Sequence, residues 1–243
     1  MTSYLGELIG TAILMLLGNG VVANVLLAKT KGHDSGLIVI AFGWAIAVFT
    51  AVFISADISG AHLNPAVTVG LAAAGKFGWE LVPGYVIAQL LGAIVGQILV
   101  LLAYRDHYRA TEDAGLVLAT FSTGPAIPNS LWNTVTEVIG TFVLVFAVLY
   151  ITGPEFGESP GSLGALDALP VALVVLGIGV SLGGPTGYAI NPARDLGPRI
   201  LHALIPLKHK GSSEWGYAWV PVVGPIIGAL LAAGVWHLVP VVL

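Results

Sequence analysis

The chain has 243 residues, 56% of them hydrophobic and only 9% charged, where a soluble domain carries roughly 25% charged residues; a soluble globular enzyme is excluded. Nine basic and 13 acidic residues leave a net charge of -4, and no basic tract is dense enough to follow a phosphate backbone, which excludes nucleic acid as a partner. The absence of cysteine removes disulfides, thiolate metal sites and cysteine nucleophiles together.

A bilayer core about 30 Å thick is crossed by roughly 20 apolar helical residues. Windows of that kind cover 5–28, 37–55, 81–104, 131–152, 169–183 and 215–238. Met1-Thr2-Ser3-Tyr4 lacks the basic region and small-residue cleavage site of a secretory signal, so the first window is expected to stay as a membrane span. Two apolar segments, 63–74 and 190–204, lie between glycine- and proline-rich turns and are too short to cross. Backbone that breaks helix at membrane depth is tolerated where it lines a cavity or is buried in protein, so the pair of half-spans points to a pore or binding cavity.

An internal duplication organises these pieces. Glu7-Leu8-Ile9-Gly10-Thr11 returns as Glu137-Val138-Ile139-Gly140-Thr141. Gly60-Ala61-His62-Leu63-Asn64-Pro65-Ala66 returns as Gly187-Tyr188-Ala189-Ile190-Asn191-Pro192-Ala193, and Gly92-Ala93-Ile94-Val95-Gly96 as Gly224-Pro225-Ile226-Ile227-Gly228. Residues 1–104 form a first repeat and 130–243 a second, joined by a polar connecting loop at 105–129, within one integral-membrane domain. Each repeat holds three spans, an odd number, so the two run in opposite directions. Inverted repeats bring the N-termini of corresponding half-helices together near the midplane. The expected fold is all-α, with six transmembrane helices plus two re-entrant half-helices in an inverted 3+3 repeat.

Both half-helices begin Asn-Pro-Ala, at Asn64-Pro65-Ala66 and Asn191-Pro192-Ala193. Proline suits the first helical turn because its missing N–H has no partner there anyway. An asparagine cap presents a neutral amide where the helix dipole puts positive potential. Two such ends facing each other give a pore neutral donors at its centre and a barrier to cations.

With these segments the sequence resembles, over essentially its whole length, the major intrinsic protein family of aquaporins and glycerol facilitators. The resemblance implies a passive channel in a right-handed bundle, assembled as a homotetramer with one pore per subunit. It also implies a multi-pass protein of the plasma membrane with both termini cytoplasmic. A selectivity filter follows from it as well: Arg194 directly after the second Asn-Pro-Ala, with Trp44, Gly179 and Tyr188 at the matching positions. Water-selective members carry histidine and phenylalanine where Gly179 and Trp44 stand. Asp195, Arg199 and Pro221-Val222 also match the glycerol branch, while Tyr188 departs from the more familiar phenylalanine. The implied solutes are glycerol and other small neutral molecules with some water, and no cofactor or metal.

Glu7 and Glu137 lie inside apolar spans, where an acidic residue costs about 2.5 to 3.5 kcal/mol on insertion scales. Their symmetry points to acceptors that brace the re-entrant loops. His62 is expected to line the pore, and no second ligand sits near it at zinc spacing. Gln89 is expected to steady the first loop. His33, His107, His202, His209 and His237 fall in or near loops and ends, where solvated roles are the default. Trp79, Trp132, Trp215, Trp219 and Trp236 fall near span ends and suit interfacial belts.

Lysine and arginine are uneven across the bilayer: Lys29, Lys31, Arg105, Arg109, Lys208 and Lys210 on one face, with Arg194 and Arg199 in the pore region, against Lys76 on the other. The positive-inside rule places the richer face in the cytoplasm, opposite to what the resemblance implies. Within the channel class, the solute is alternatively dihydroxyacetone, urea, hydrogen peroxide, protonated lactic acid or mainly water. An ion-coupled secondary transporter also has inverted repeats and broken helices, whereas an intramembrane enzyme lacks a nucleophile and base pair among these residues.

Overall fold

The computed structural model describes residues 1–151, 155–156 and 159–239. Thr152, the last residue of the fourth window, and residues 240–243 of the second repeat lie outside them. The first repeat contributes α1 (Thr2–Leu26), α2 (Leu37–Ser59), the short α3 (Pro65–Ala73) and α4 (Val82–Ala103). Two small helices follow, α5 (Arg105–Ala110) and α6 (Ala114–Ala119). The second repeat contributes α7 (Ser130–Tyr150), α8 (Leu169–Thr186), α9 (Pro192–Leu204) and α10 (Val220–Leu238). Six of these helices are long and apolar enough to cross a membrane, so the chain is an integral multi-pass membrane protein. A two-residue antiparallel pair, β1 (Glu155–Phe156) with β2 (Ser159–Pro160), interrupts the otherwise helical structure.

Helix ends depart from the windows for local reasons. The second helix runs on to Ser59, because the Ser55 hydroxyl donates to Ala51 O inside the helix (2.7 Å) and Gly60, at φ 80°, ends it in the left-handed conformation. The sixth begins only at Val220, since residues 215–219 form a turn.

Glycine spacing sets how closely the spans approach. A Cβ on Gly92 or Gly96 of α4 would run into the backbone carbonyls of Leu8 and Ala12 on α1. In the other repeat, a Cβ on Gly228 of α10 would run into Val138 O on α7, and one on Gly224 would meet Glu137 Cβ at 2.7 Å. The pairs α1–α4 and α7–α10 thus cross through matching small-residue stripes, the packing mode of membranes, where apolar burial alone offers helices no reason to associate. The half-helices cross between repeats: α3 packs chiefly on α10, and α9 chiefly on α4. Outward positions such as Ile38, Phe42, Ile87, Leu173 and Leu231 are exposed and apolar, as lipid requires.

The segment 105–129 does more than connect. Tyr108, Thr111, Val117, Thr120, Phe121 and Ser122 are buried in it, and Tyr108, Val117 and Phe121 form a small core with Ala23, Leu27, Val100 and Leu201. A polar composition hides this role, because a few apolar side chains are buried beside hydroxyls such as those of Tyr108, Thr111 and Thr120, which are hydrogen-bonded within the protein. His202 corrects the solvated expectation. It is fully buried, with Nδ1 at 2.8 Å from Ser213 Oγ and its ring edge-on to Phe121. Trp79, Trp132, Trp215 and Trp219 are exposed, whereas Trp236 packs on the core beneath Lys76 Nζ, 4.9 Å from the ring centroid.

Candidate functional site

The two Asn-Pro-Ala turns meet at the centre of the bundle. Asn64 Oδ1 accepts from Ala66 N (2.8 Å), and Asn191 Oδ1 from Ala193 N (3.0 Å) and Arg194 N (3.2 Å), so each asparagine caps its half-helix with the oxygen. The amide nitrogens then reach across. Asn64 Nδ2 donates to Ile190 O (2.8 Å) and Asn191 Nδ2 to Leu63 O (2.9 Å). One hydrogen of each amide is therefore used to tie the two loops together, and the second remains for whatever occupies the cavity that both residues line.

The extended stretches before the caps carry paired distortions. Ala61 (φ 51°) and Leu63 (φ 51°) are left-handed, and so are Tyr188 (φ 38°) and Ile190 (φ 43°) at the equivalent positions. Non-glycine residues avoid this region, β-branched ones most of all, at a cost of order 1–3 kcal/mol each. Such backbone persists where its surroundings over-determine it, and here the surroundings are two carboxylates. Glu7 accepts from Ser59 Oγ (2.7 Å), His62 N (2.9 Å) and Leu63 N (2.7 Å). Glu137 accepts from Thr186 Oγ1 (2.7 Å), Ala189 N (2.9 Å) and Ile190 N (2.8 Å). With their N–H groups turned to the glutamates, these peptides leave their carbonyl oxygens for the opposite side. Gln89 joins the first set only, donating to Glu7 Oε2 (2.7 Å) and Thr68 Oγ1 (2.9 Å).

A cavity of about 240 Å³ follows this polar seam. Trp44, Tyr188 and Arg194 line one end, Asn64 and Asn191 the middle, and Val171, Ile151 and Asp167 the other end, with Leu14, Val48, Val67 and Leu144 among its apolar wall. Arg194 lies with its guanidinium carbon 4.4 Å from the Trp44 ring centroid, within cation–π range. Among the described residues, the buried Tyr188 hydroxyl has no protein partner.

Gly179 is not itself part of the wall. A Cβ there would meet Tyr188 Cζ at 3.0 Å, and one on Gly183 would meet Tyr188 Cδ1 at 2.7 Å, so the two glycines form the seat on which the tyrosine ring lies. Gly18 of α1 does the same for Trp44, whose ring fills the space a side chain would take. Nothing in the sequence alone marks Gly18, since its role depends on a partner one helix away.

His62 lines the cavity, with Nδ1 at 3.1 Å from Thr68 Oγ1 and its ring against Phe77 and Tyr85. Asp195 stands behind the wall. Its carboxylate receives Arg199 Nε (2.8 Å) and Nη2 (3.0 Å) and both the backbone N–H and hydroxyl of Thr123 (2.8 Å each). Arg199 also donates to Thr123 O (2.8 Å) and Ser213 O (2.8 Å). This buried pair pins α9 to the segment before α7 and to the turn before α10.

Residues 1–236 match the Major intrinsic protein family. The chain is 53% identical over 238 residues to a glycerol uptake facilitator protein of Streptococcus pneumoniae, covering 98% of this chain and 99% of the relative. It is 52% identical over 237 residues to a probable glycerol uptake facilitator protein of Thermotoga maritima, with 98% and 99% covered. Among solved structures, the aquaglyceroporin from Plasmodium falciparum superposes with a TM-score of 0.83 at 33% identity, over 98% of this chain and 96% of that one.

Proposed function

We infer that this chain, which belongs to the major intrinsic protein family, is a passive transmembrane channel, not an enzyme, that passes glycerol and other small neutral solutes with some water. The observation that carries the reading is the end of the cavity lined together by Arg194, Trp44 and Tyr188, with the Arg194 guanidinium over the Trp44 ring. A polyol is itself two-sided. Its hydroxyls meet Arg194 and the carbonyl seam while its carbon edge slides over the rings and the apolar wall. The two half-helix N-termini, each equivalent to about half a positive charge, add to the charge of Arg194 and exclude cations and protons.

We assign the selectivity filter to Trp44, Tyr188 and Arg194, with Gly179 acting through the seat it gives Tyr188. Asn64 and Asn191 with their Pro-Ala partners form the central donors. His62 lines the pore, and Glu7, Glu137, Gln89 and Asp195 support the loops. An ion-coupled transporter would need a carboxylate near the midplane open to the permeation path. Glu7 and Glu137 are fully engaged by donors and line no part of the cavity, which favours the channel. We place the protein as a homotetramer in the plasma membrane, with cytoplasmic termini as in the family and the lysine-rich face outside.

Stopped-flow light scattering on proteoliposomes tests this. Glycerol flux above that of empty vesicles, unchanged by an imposed proton gradient, is the expected result; flux no greater than in empty vesicles sinks the reading. A panel of dihydroxyacetone, urea, hydrogen peroxide and lactic acid at low pH ranks the solutes.

A further inference from the structure

We propose that Asn19 of α1, a residue that does not line the pore, is the positioning residue that holds Arg194 in register at the filter. The proposal rests on the reading of Arg194, Trp44 and Tyr188 as the filter and adds the group that sets its geometry.

Arginine at this place has reasons to move. It sits in the first turn of α9, where the helix dipole is unfavourable to a cation, on a long side chain with several free torsions. Its guanidinium has five N–H donors and no acceptor. Among the described residues, its one side-chain hydrogen bond to protein runs from Nη1 to Asn19 Oδ1, at 3.3 Å. With the Trp44 ring on its face, that bond fixes the plane and leaves the other donors for a solute.

Asn19 is itself fixed. It is fully buried in a membrane-spanning helix, where an amide is costly unless paired. Because Arg194 can only donate, Asn19 must turn its oxygen to the arginine and its nitrogen away. Nδ2 then donates to Gln97 Oε1 (2.6 Å) and to Phe121 O (3.2 Å). Gln97 Nε2 faces Tyr108 Oη at 3.4 Å, Tyr108 Oη lies 2.7 Å from Thr120 Oγ1, and Thr120 Oγ1 donates to Val117 O (2.8 Å). Every member of this chain is buried, and the donations run one way, from the cation at the filter to a carbonyl of α6. Such a network is satisfied in a single orientation of each amide, which removes the flip that would point Asn19 Nδ2 at Arg194.

The neighbouring residue completes the arrangement. Gly18 leaves the room that the Trp44 ring occupies, so Gly18 and Asn19 together set the positions of two filter side chains from a helix behind them.

Glycerol must be oriented, hydroxyls toward Arg194 and carbon edge toward the rings, whereas water has no such edge to orient, so a loosened arginine costs glycerol more than water. The experiment compares glycerol-to-water permeability ratios in proteoliposomes of wild type, N19L, N19D, R194V and N19L/R194V, each checked for wild-type elution on size exclusion. N19L is expected to lower the ratio about tenfold, the scale of one hydrogen bond to a charged group. N19D keeps an acceptor for Nη1 but loses the amide donor to Gln97 Oε1 and Phe121 O, so its ratio should lie between those of wild type and N19L. In the R194V background N19L should change nothing further. Should N19L fail to fold, N19S, whose hydroxyl is too short to reach Nη1, takes its place alone and on R194V. An equal shift with and without Arg194, or no shift from N19L or N19S, overturns the inference alone. Absence of glycerol flux in the wild type overturns the channel reading, and the inference with it.

Discussion

The two half-sites share a skeleton and differ in what is hung on it. Ser59, His62 and Leu63 answer to Glu7 as Thr186, Ala189 and Ile190 answer to Glu137, bond for bond. The half-helices that follow are unlike. Where the second has Arg194, Asp195 and Arg199, the first has Val67, Thr68 and Ala72 at the equivalent positions. Val67 belongs to the apolar wall of the cavity, and Arg194 lines the same cavity with a cation. The duplicated parts hold the fold and the midplane donors, and the two-sided pore arises where the duplication has been broken.

The largest test of the shared skeleton is to remove each glutamate. Glu137→Ala strands the Ala189 and Ile190 N–H groups and the Thr186 hydroxyl, each buried orphan costing about 1–3 kcal/mol, next to backbone already in a strained region. Glu7→Ala strands an equivalent set, but Gln89 Oε1, which has no partner among the described residues, can turn toward the freed donors. Pro221, at the matching place in α10, offers no such group. Both variants should lose folded protein in detergent, Glu137→Ala the more. Equal yields and melting temperatures would mean that Gln89 does not distinguish the two halves.

A smaller effect is expected from the pair that only the second half has. Asp195→Asn leaves Arg199 buried opposite a neutral amide, and breaking a buried pair costs about 3–5 kcal/mol. Thr68→Ala, the equivalent change in the first half, removes a neutral hydroxyl bonded to Asn64 O, Gln89 Nε2 and His62 Nδ1, worth roughly 1 kcal/mol per bond, and strands no charge. Thermal unfolding followed by circular dichroism should show Asp195→Asn lowering Tm by clearly more than Thr68→Ala. The reverse order would place the weight of α9 on its apolar contacts instead.

Much of this architecture is legible in sequence because it rests on local signals repeated twice. Span length, the Asn-Pro-Ala caps, the glutamates and the glycine stripes each carry their meaning within a few residues, and the duplication tells signal from accident. What is not legible depends on contacts between distant segments. Asn19 reads as one polar residue in an apolar run until Gln97, Phe121 and Arg194 are seen around it. Residues 105–129 read as a linker because their partners, Asp195, Arg199 and His202, lie 72 to 81 positions away. Gly179 likewise depends on a partner beyond its own helix: the side chain it lacks leaves room for the Tyr188 ring, and the tyrosine lines the cavity.

That last point leads to the smallest and most specific prediction, since Tyr188 belongs to the broken part of the duplication and Ala61 is its equivalent. The tyrosine ring is held by Gly179 and Gly183, and its hydroxyl has no protein partner among the described residues. Tyr188→Phe should therefore leave the fold and the ring in place and remove a buried hydroxyl at the cavity wall that a small ring movement would turn toward a solute. A single net hydrogen bond is worth about 1 kcal/mol, so glycerol permeability should fall about two- to fivefold while water permeability stays within experimental scatter. Wider pore geometry would instead raise both fluxes together, and that result would make the hydroxyl a spacer that narrows the ring. Ala61→Ser, which puts a hydroxyl on the equivalent loop position of the other repeat, should not restore the lost glycerol flux, because the contribution depends on a ring seated beside Arg194 and not on polarity at that height in the pore.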